Sequence, residues 1–204
     1  GTGAGAGITK LDYGRYLAAC LSYFSRQQRD RVGLVTIGDD IIEYVPPSAR
    51  HLEVVLHTID RIEPVGRGSL SGPLLKVAEA TKRRSIMVVI SDLYDEPAAI
   101  LRSLNMLKNK GNDVIAFQIL DPAELNFPFD EAAHFEDLES GERIPVVPDR
   151  QREGYRDLMR NHLGELSRLL IENRMDYYLF DTSQPLDHAL FRYLSRRENL
   201  NRVR

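Results

Sequence analysis

The sequence predicts an α/β fold: a doubly wound, mostly parallel sheet with helices on both faces. Three observations carry this. Short apolar runs recur at 31–38 ("RVGLVTIG"), 86–90 ("IMVVI"), 113–120 ("DVIAFQIL") and 176–182 ("DYYLFDT"). Between most of them apolar residues return every three or four positions, the period of a helix. The runs are apolar on both alternations, as strands covered on two faces are.

Leu11, Tyr13, Leu17, Leu21 and Phe24 share one helical face, so 11–28 is a helix. The strand at 31–38 pairs with 41–45 across an Asp39-Asp40 turn. This hairpin supplies one antiparallel edge strand, and Pro46-Pro47 stops it. Ser48 is placed to cap a helix whose inner face is Leu52, Val55, Leu56, Ile59 and Ile62, ended by Pro64. "GRGSLSGP" (66–73) is a loop before a short helix at 74–81. After the strand at 86–90, Pro97 opens a helix with Ile100, Leu101, Leu104 and Leu107 inward, closed by Gly111. Asp121-Pro122 breaks the strand at 113–120. "HFEDLESGERIPVV" predicts a small hairpin insertion at 134–147, turning at Ser140-Gly141. A long helix at 150–173 puts Tyr155, Leu158, Met159, His162, Leu166, Leu169 and Leu170 on one face. The strand at 176–182 and a helix at 185–197 finish the chain.

A chain of 204 residues with 43% hydrophobic content supports one sizeable domain. The division expected is 1–9, a glycine-rich lead or cloning remnant, and 10–204, a single domain. A net charge of −3, from 27 basic and 30 acidic residues, favours neither nucleic acid nor an anionic membrane. A single cysteine, Cys20, permits no internal disulfide and fits a reducing compartment, so a cytoplasmic location is expected. No apolar run reaches membrane-spanning length, and no membrane contact by this domain is expected.

The question of chemistry centres on Asp92, which ends the apolar run of "SIMVVISDLYDEP". In an open α/β sheet that edge binds ligands; an aspartate there is also an ordinary turn former. Asp95 is read as the N-cap region of the helix at Pro97. Tyr94 either shapes the rim or packs on a helix. Asp121 to Glu124 are either a polar rim beside Asp92 or a turn capped by Glu124. "GRGSLSG" lacks the Gly-Lys-Ser/Thr of a phosphate-binding loop. Cys20 reads as a structural thiol. His51, His57, His134, His162 and His188 form no metal-type pair. The acidic hairpin (Glu136, Asp137, Glu139, Glu142) and the basic end (Arg192, Arg196, Arg197, Arg202, Arg204) read as solvated faces, the former otherwise a docking ridge.

Several stretches together resemble a von Willebrand factor A-type (vWA) domain, and more narrowly the bacterial DUF58 family. They are residues 10–39 with their "DRVGLV" junction, "GRGSL" at 66–70, "VVISDLYD" at 88–95, "DVIAFQILDPAELNFPF" at 113–129 and "YLFDTSQPLDHALFRYLSRR" at 178–197. The resemblance implies a first apolar strand ending in Asp-x-Ser-x-Ser, and nothing here matches it. In a doubly wound order that strand is central. A buried strand of about five apolar side chains stabilises by roughly 10 kcal/mol, against a domain's net ~5–15 kcal/mol. The domain is therefore expected to be incomplete at its N-terminus.

The resemblance also implies a metal-ion-dependent adhesion site. Asp92 stands at its aspartate position and Ser69 at its hydroxyl position; the remaining ligands are expected upstream of Gly1. Mg²⁺, or Mn²⁺ or Ca²⁺, is expected in the full-length protein and not in this chain alone, because such ions need about six oxygen ligands. The function implied is a non-enzymatic protein-interaction module working with a MoxR-type AAA+ ATPase in assembly or maturation of client proteins. Two alternatives stand beside it. One is a Mg²⁺-dependent hydrolase or phosphatase using Asp92, for which Asp92 and Asp95 lack Asp-x-Asp spacing. The other is a metal-free scaffold.

Overall fold

Thr9 starts the first helix. Its Oγ1 accepts from the Asp12 amide at 3.1 Å and donates to the Asp12 carboxylate at 2.7 Å, which satisfies an amide that has no partner inside the helix. The computed structural model describes residues 8–64, 70–126, 133–136, 143–146, 148–187 and 190, with only the backbone in 133–136, 143–146 and 148–152. The helix so capped is α1 (Lys10–Gln27).

Strands β1 (Val32–Ile37) and β2 (Ile41–Ser48) form an antiparallel hairpin. The expected stop at Pro46-Pro47 does not occur. Val32 pairs with Ser48 and Leu34 with Val45, so both prolines lie in a bulge opposite Gly33. A bulge leaves ladder amides unused, which suits proline. A Cβ on Gly33 would stand 2.8 Å from the Val45 carbonyl oxygen and 2.9 Å from the Pro47 nitrogen, so glycine is what permits this approach. Ser48 is not the cap of α2 (Leu52–Asp60); that helix starts at His51 without a side-chain cap, and Ser48 Oγ accepts from the Arg50 amide instead.

Helix α3 (Ser71–Ala80) begins three residues ahead of the expected start at Leu74. Strand β3 (Ile86–Ser91) leads to α4 (Pro97–Lys108), which has Pro97 in its first turn and Glu96, not Asp95, at its N-cap. Gly111 follows at φ +85°, a conformation that suits glycine. Strand β4 (Asp113–Leu120) is followed by α5 (Pro122–Asn126), a short helix where a break and a turn capped by Glu124 were expected. The hairpin insertion is present as the antiparallel pair β5 (Ala133–Glu136) and β6 (Arg143–Val146). Helix α6 (Pro148–Glu172) and strand β7 (Asp176–Asp181) complete the order, with helical residues again at 186, 187 and 190.

β3, β4 and β7 make a parallel sheet in that order, β4 in the middle. Its alternation sorts the core. Val114 and Ala116 face Leu74 and Ala78 of α3, Leu104 of α4, and Leu166 and Leu170 of α6. Ile115, Phe117 and Ile119 face Tyr13 and Leu17 of α1, with Phe180 and Leu190 beside them. Helices thus cover both faces, as a parallel sheet requires.

Apart from the small hairpin insertion one sheet was expected; among the described residues its strands fall into two. The β1–β2 hairpin is a separate two-stranded sheet, and among the described residues no strand joins β1 to β3. A cleft of about 2420 Å³ lies between them. Its walls are the facing edges of β1 and β3, with Gly14 and Ala18 of α1 and Leu74 and Val77 of α3. This is why Ile86 and Val88, read from sequence as fully buried, are 46% and 36% exposed. α1 spans the gap: Tyr13 and Leu17 belong to the core of the parallel sheet, while Ala18 and Ala19 pack on Val45, Val55 and Ile59 of the hairpin side. Among the described residues no helix is long and apolar enough to cross a membrane.

Candidate functional site

The chain turns sharply where β3 ends. Ser91 Oγ accepts from the Leu93 amide at 3.2 Å, and Leu93 takes φ +49° with its side chain 1% exposed. The left-handed region costs a non-glycine residue roughly 1–2 kcal/mol, so surrounding structure must hold it. Two side chains do. Gln118 of β4 donates Nε2 to the Asp92 carbonyl oxygen at 2.7 Å, and His162 Nε2 of α6 donates to the Leu93 carbonyl oxygen at 3.2 Å. The leucine therefore points into the core while the Asp92 carboxylate stays at the sheet's carboxyl edge, 45% exposed.

Gln118 is itself 1% exposed and engaged at both ends, since Tyr177 Oη donates to its Oε1 at 2.6 Å. Burial raises the Tyr177 phenol well above its ordinary range, so it remains a donor.

Beyond the next strand the edge continues through a reciprocal cap. Asp121 Oδ1 accepts from the Ala123 amide at 2.8 Å, and Glu124 Oε2 accepts from the Asp121 amide at 2.8 Å. This is the capping-box pattern, and it opens α5. The other oxygen of Glu124 faces Lys10, whose Nζ donates to Oε1 at 2.6 Å. The same Nζ lies 3.5 Å from Asp92 Oδ2 and 5.9 Å from the centre of the Tyr94 ring. Burial alone would lower the Lys10 pKa; the hydrogen bond and charge of Glu124, then the charge of Asp92, outweigh it, and the net shift is upward. Tyr155 of α6 donates Oη to the Glu124 carbonyl oxygen at 2.9 Å and lies 3.3 Å from Tyr94 Oη. Burial, then the Tyr94 hydroxyl, raises its pKa.

The two readings of Asp121 to Glu124 hold together: Glu124 caps the turn and also borders Asp92 through Lys10. Tyr94 both lines the rim and meets α6. Ser69 lies outside the described residues, as do the loop at 65–69, the side chains of the acidic hairpin, and the basic end. Cys20 is partly buried against the α1 core, and burial raises its thiol pKa, which keeps it protonated. Among the described residues no three His, Cys, Asp or Glu side chains converge as a metal cluster. Asp92 Oδ1 meets only Ser91 Oγ at 3.5 Å and has no charged partner among the described residues. These donors fit one position of a hard-oxygen site and do not fit a whole one.

Lys10, Gln118, His162 and Tyr155 are the site residues that sequence reasoning missed. Lys10 carried one available signal: a cation at the first residue of a helix opposes the helix dipole and calls for a local anion.

No curated protein matches the chain. Solved structures similar in fold include two from Bacteroides. One is the conserved hypothetical protein BatB from Bacteroides thetaiotaomicron, 16% identical, covering 91% of this chain and 87% of its own, with a TM-score of 0.57. The other is an aerotolerance-related membrane protein from Bacteroides fragilis NCTC 9343, 15% identical, covering 88% and 85%, with a TM-score of 0.58. Residues 3–165 match the family described as "Protein of unknown function DUF58", and the chain belongs to that family.

Proposed function

We propose that this chain is a vWA-like, non-enzymatic interaction module that presents the edge at Asp92 to a protein partner. In this reading the β1–β2 hairpin and the β3–β4–β7 sheet are parts of one doubly wound sheet, completed by a strand that lies in the cleft. A hard divalent cation, Mg²⁺ first, is held by Asp92, by Ser69 and by hydroxyls that the completing strand carries. When bound, it supplies a coordination position for a partner's carboxylate. The partner proposed is a MoxR-type AAA+ ATPase acting on client proteins.

The observation that carries the reading is the placement of Asp92. It stands at the carboxyl end of the strand bordering the cleft, with its backbone fixed by Gln118 and one carboxylate oxygen clear of charged partners among the described residues. The neighbouring polar groups favour binding over catalysis. Glu124 is engaged at both oxygens, and the Tyr155 phenol is held protonated, so neither is poised as a base.

The test is Mg²⁺ binding by the intact protein, measured by calorimetry beside Asp92→Ala. The expected result is binding that the substitution abolishes; equal affinity in both removes the metal from the reading. Phosphoester turnover that Asp92→Asn abolishes would replace the module with the hydrolase alternative.

A further inference from the structure

We propose that Lys10 is the resident cation of this edge: its ammonium ties Glu124 to Asp92 and keeps a divalent ion off Asp92 until the lysine moves aside. This rests on the metal reading above and adds the group with which the metal must compete.

The geometry is uneven in an informative way. Nζ is 2.6 Å from Glu124 Oε1 but 3.5 Å from Asp92 Oδ2. The lysine is anchored on Glu124 and only leans on Asp92, so Asp92 is the carboxylate it can release. Glu124 is the less free of the two, because turning away would also strand the Asp121 amide on its Oε2. The Tyr94 ring, 5.9 Å from Nζ, adds a third attraction on the solvent side. These partners come from the end of β3 and the start of α5, so one ammonium bridges two neighbouring strand ends. With Lys10 in place, Asp92 and Glu124 share a positive charge. Without it, two carboxylates face the same space unopposed, and a dication no longer meets the repulsion of an ammonium between them.

The test uses Mg²⁺ calorimetry on the intact protein, with Lys10→Met to remove the charge but keep the stem, and Lys10→Arg to keep the charge. Lys10→Met is expected to bind Mg²⁺ at least about tenfold more tightly than wild type, and Lys10→Arg to stay near wild type. Unchanged or weaker binding in Lys10→Met overturns the exclusion alone. No binding by any variant overturns it together with the metal reading. A second measurement needs no metal. In urea unfolding, Asp92→Asn is expected to recover part of the stability lost in Lys10→Met, because it removes the carboxylate left without a counter-charge. Strictly additive losses overturn the pairing itself.

Discussion

The buried amide of Gln118 donates to the backbone carbonyl of Asp92 at 2.7 Å. A side chain in the middle strand thus fixes the turn of its neighbour, and the carboxylate above inherits that rigidity. Gln118→Leu keeps approximate size and removes both polar ends. It strands the Asp92 carbonyl and the Tyr177 hydroxyl, at about 1–3 kcal/mol for each buried group left without a partner. Urea unfolding reads the loss; a change below about 0.5 kcal/mol, ordinary for a surface position, would mean the amide does not hold the turn.

Leu93 offers a sharper comparison. At φ +49° a glycine costs less than an alanine, the reverse of the usual order. Both Leu93→Ala and Leu93→Gly lose a buried side chain, at about 2–5 kcal/mol. Leu93→Gly is expected to be the more stable of the two by about 1 kcal/mol. If alanine proves the more stable, the left-handed turn is not strained.

Gly33 faces a different constraint, since a Cβ there would press on the Val45 carbonyl and Pro47. Both obstacles are backbone or ring atoms that cannot swing aside. Gly33→Ala is expected to destabilise by about 1–3 kcal/mol, as overpacking does. Calorimetric unfolding of the two proteins at one protein concentration checks it; an unchanged Tm would show that the hairpin shifts freely.

Tyr177 gives the chain an alkaline limit. Its folded pKa is raised above the ordinary 10.0 by burial. The stability this contributes is therefore complete below pH 10.0 and is lost as pH rises through the higher folded value. Tyr155 shifts the same way from the same ordinary value. Thermal unfolding measured across alkaline pH should show Tm falling, with a shallower fall in Tyr177→Phe and Tyr155→Phe. Identical slopes in all three proteins would assign the alkaline loss to other groups.

The residues explain what was legible beforehand. β4 announced itself because both of its alternations are apolar, and the middle strand of a helix-covered sheet needs that. Asp92 stood out because an apolar run delivered it to a sheet edge. The helix at Pro122 was hidden because Asp-Pro reads equally as a break and as a helix opening. Leu93 gave no hint of positive φ, since leucine has no preference for it. The Lys10 contact was beyond reach for another reason: 82 residues separate it from Asp92, and only the packing of α1 on the sheet brings them together. Local pattern specified elements and faces, while the polar contacts of the site arise between elements.

α1 touches the hairpin with Ala18 and Ala19, the sheet with Tyr13 and Leu17, and the acidic edge with its first residue, Lys10. It works as a rigid beam laid over a gap, with a charged tip. One helix thereby ties both walls of the opening to the acidic edge, so a change in the width of that gap would be felt at Lys10 and Asp92.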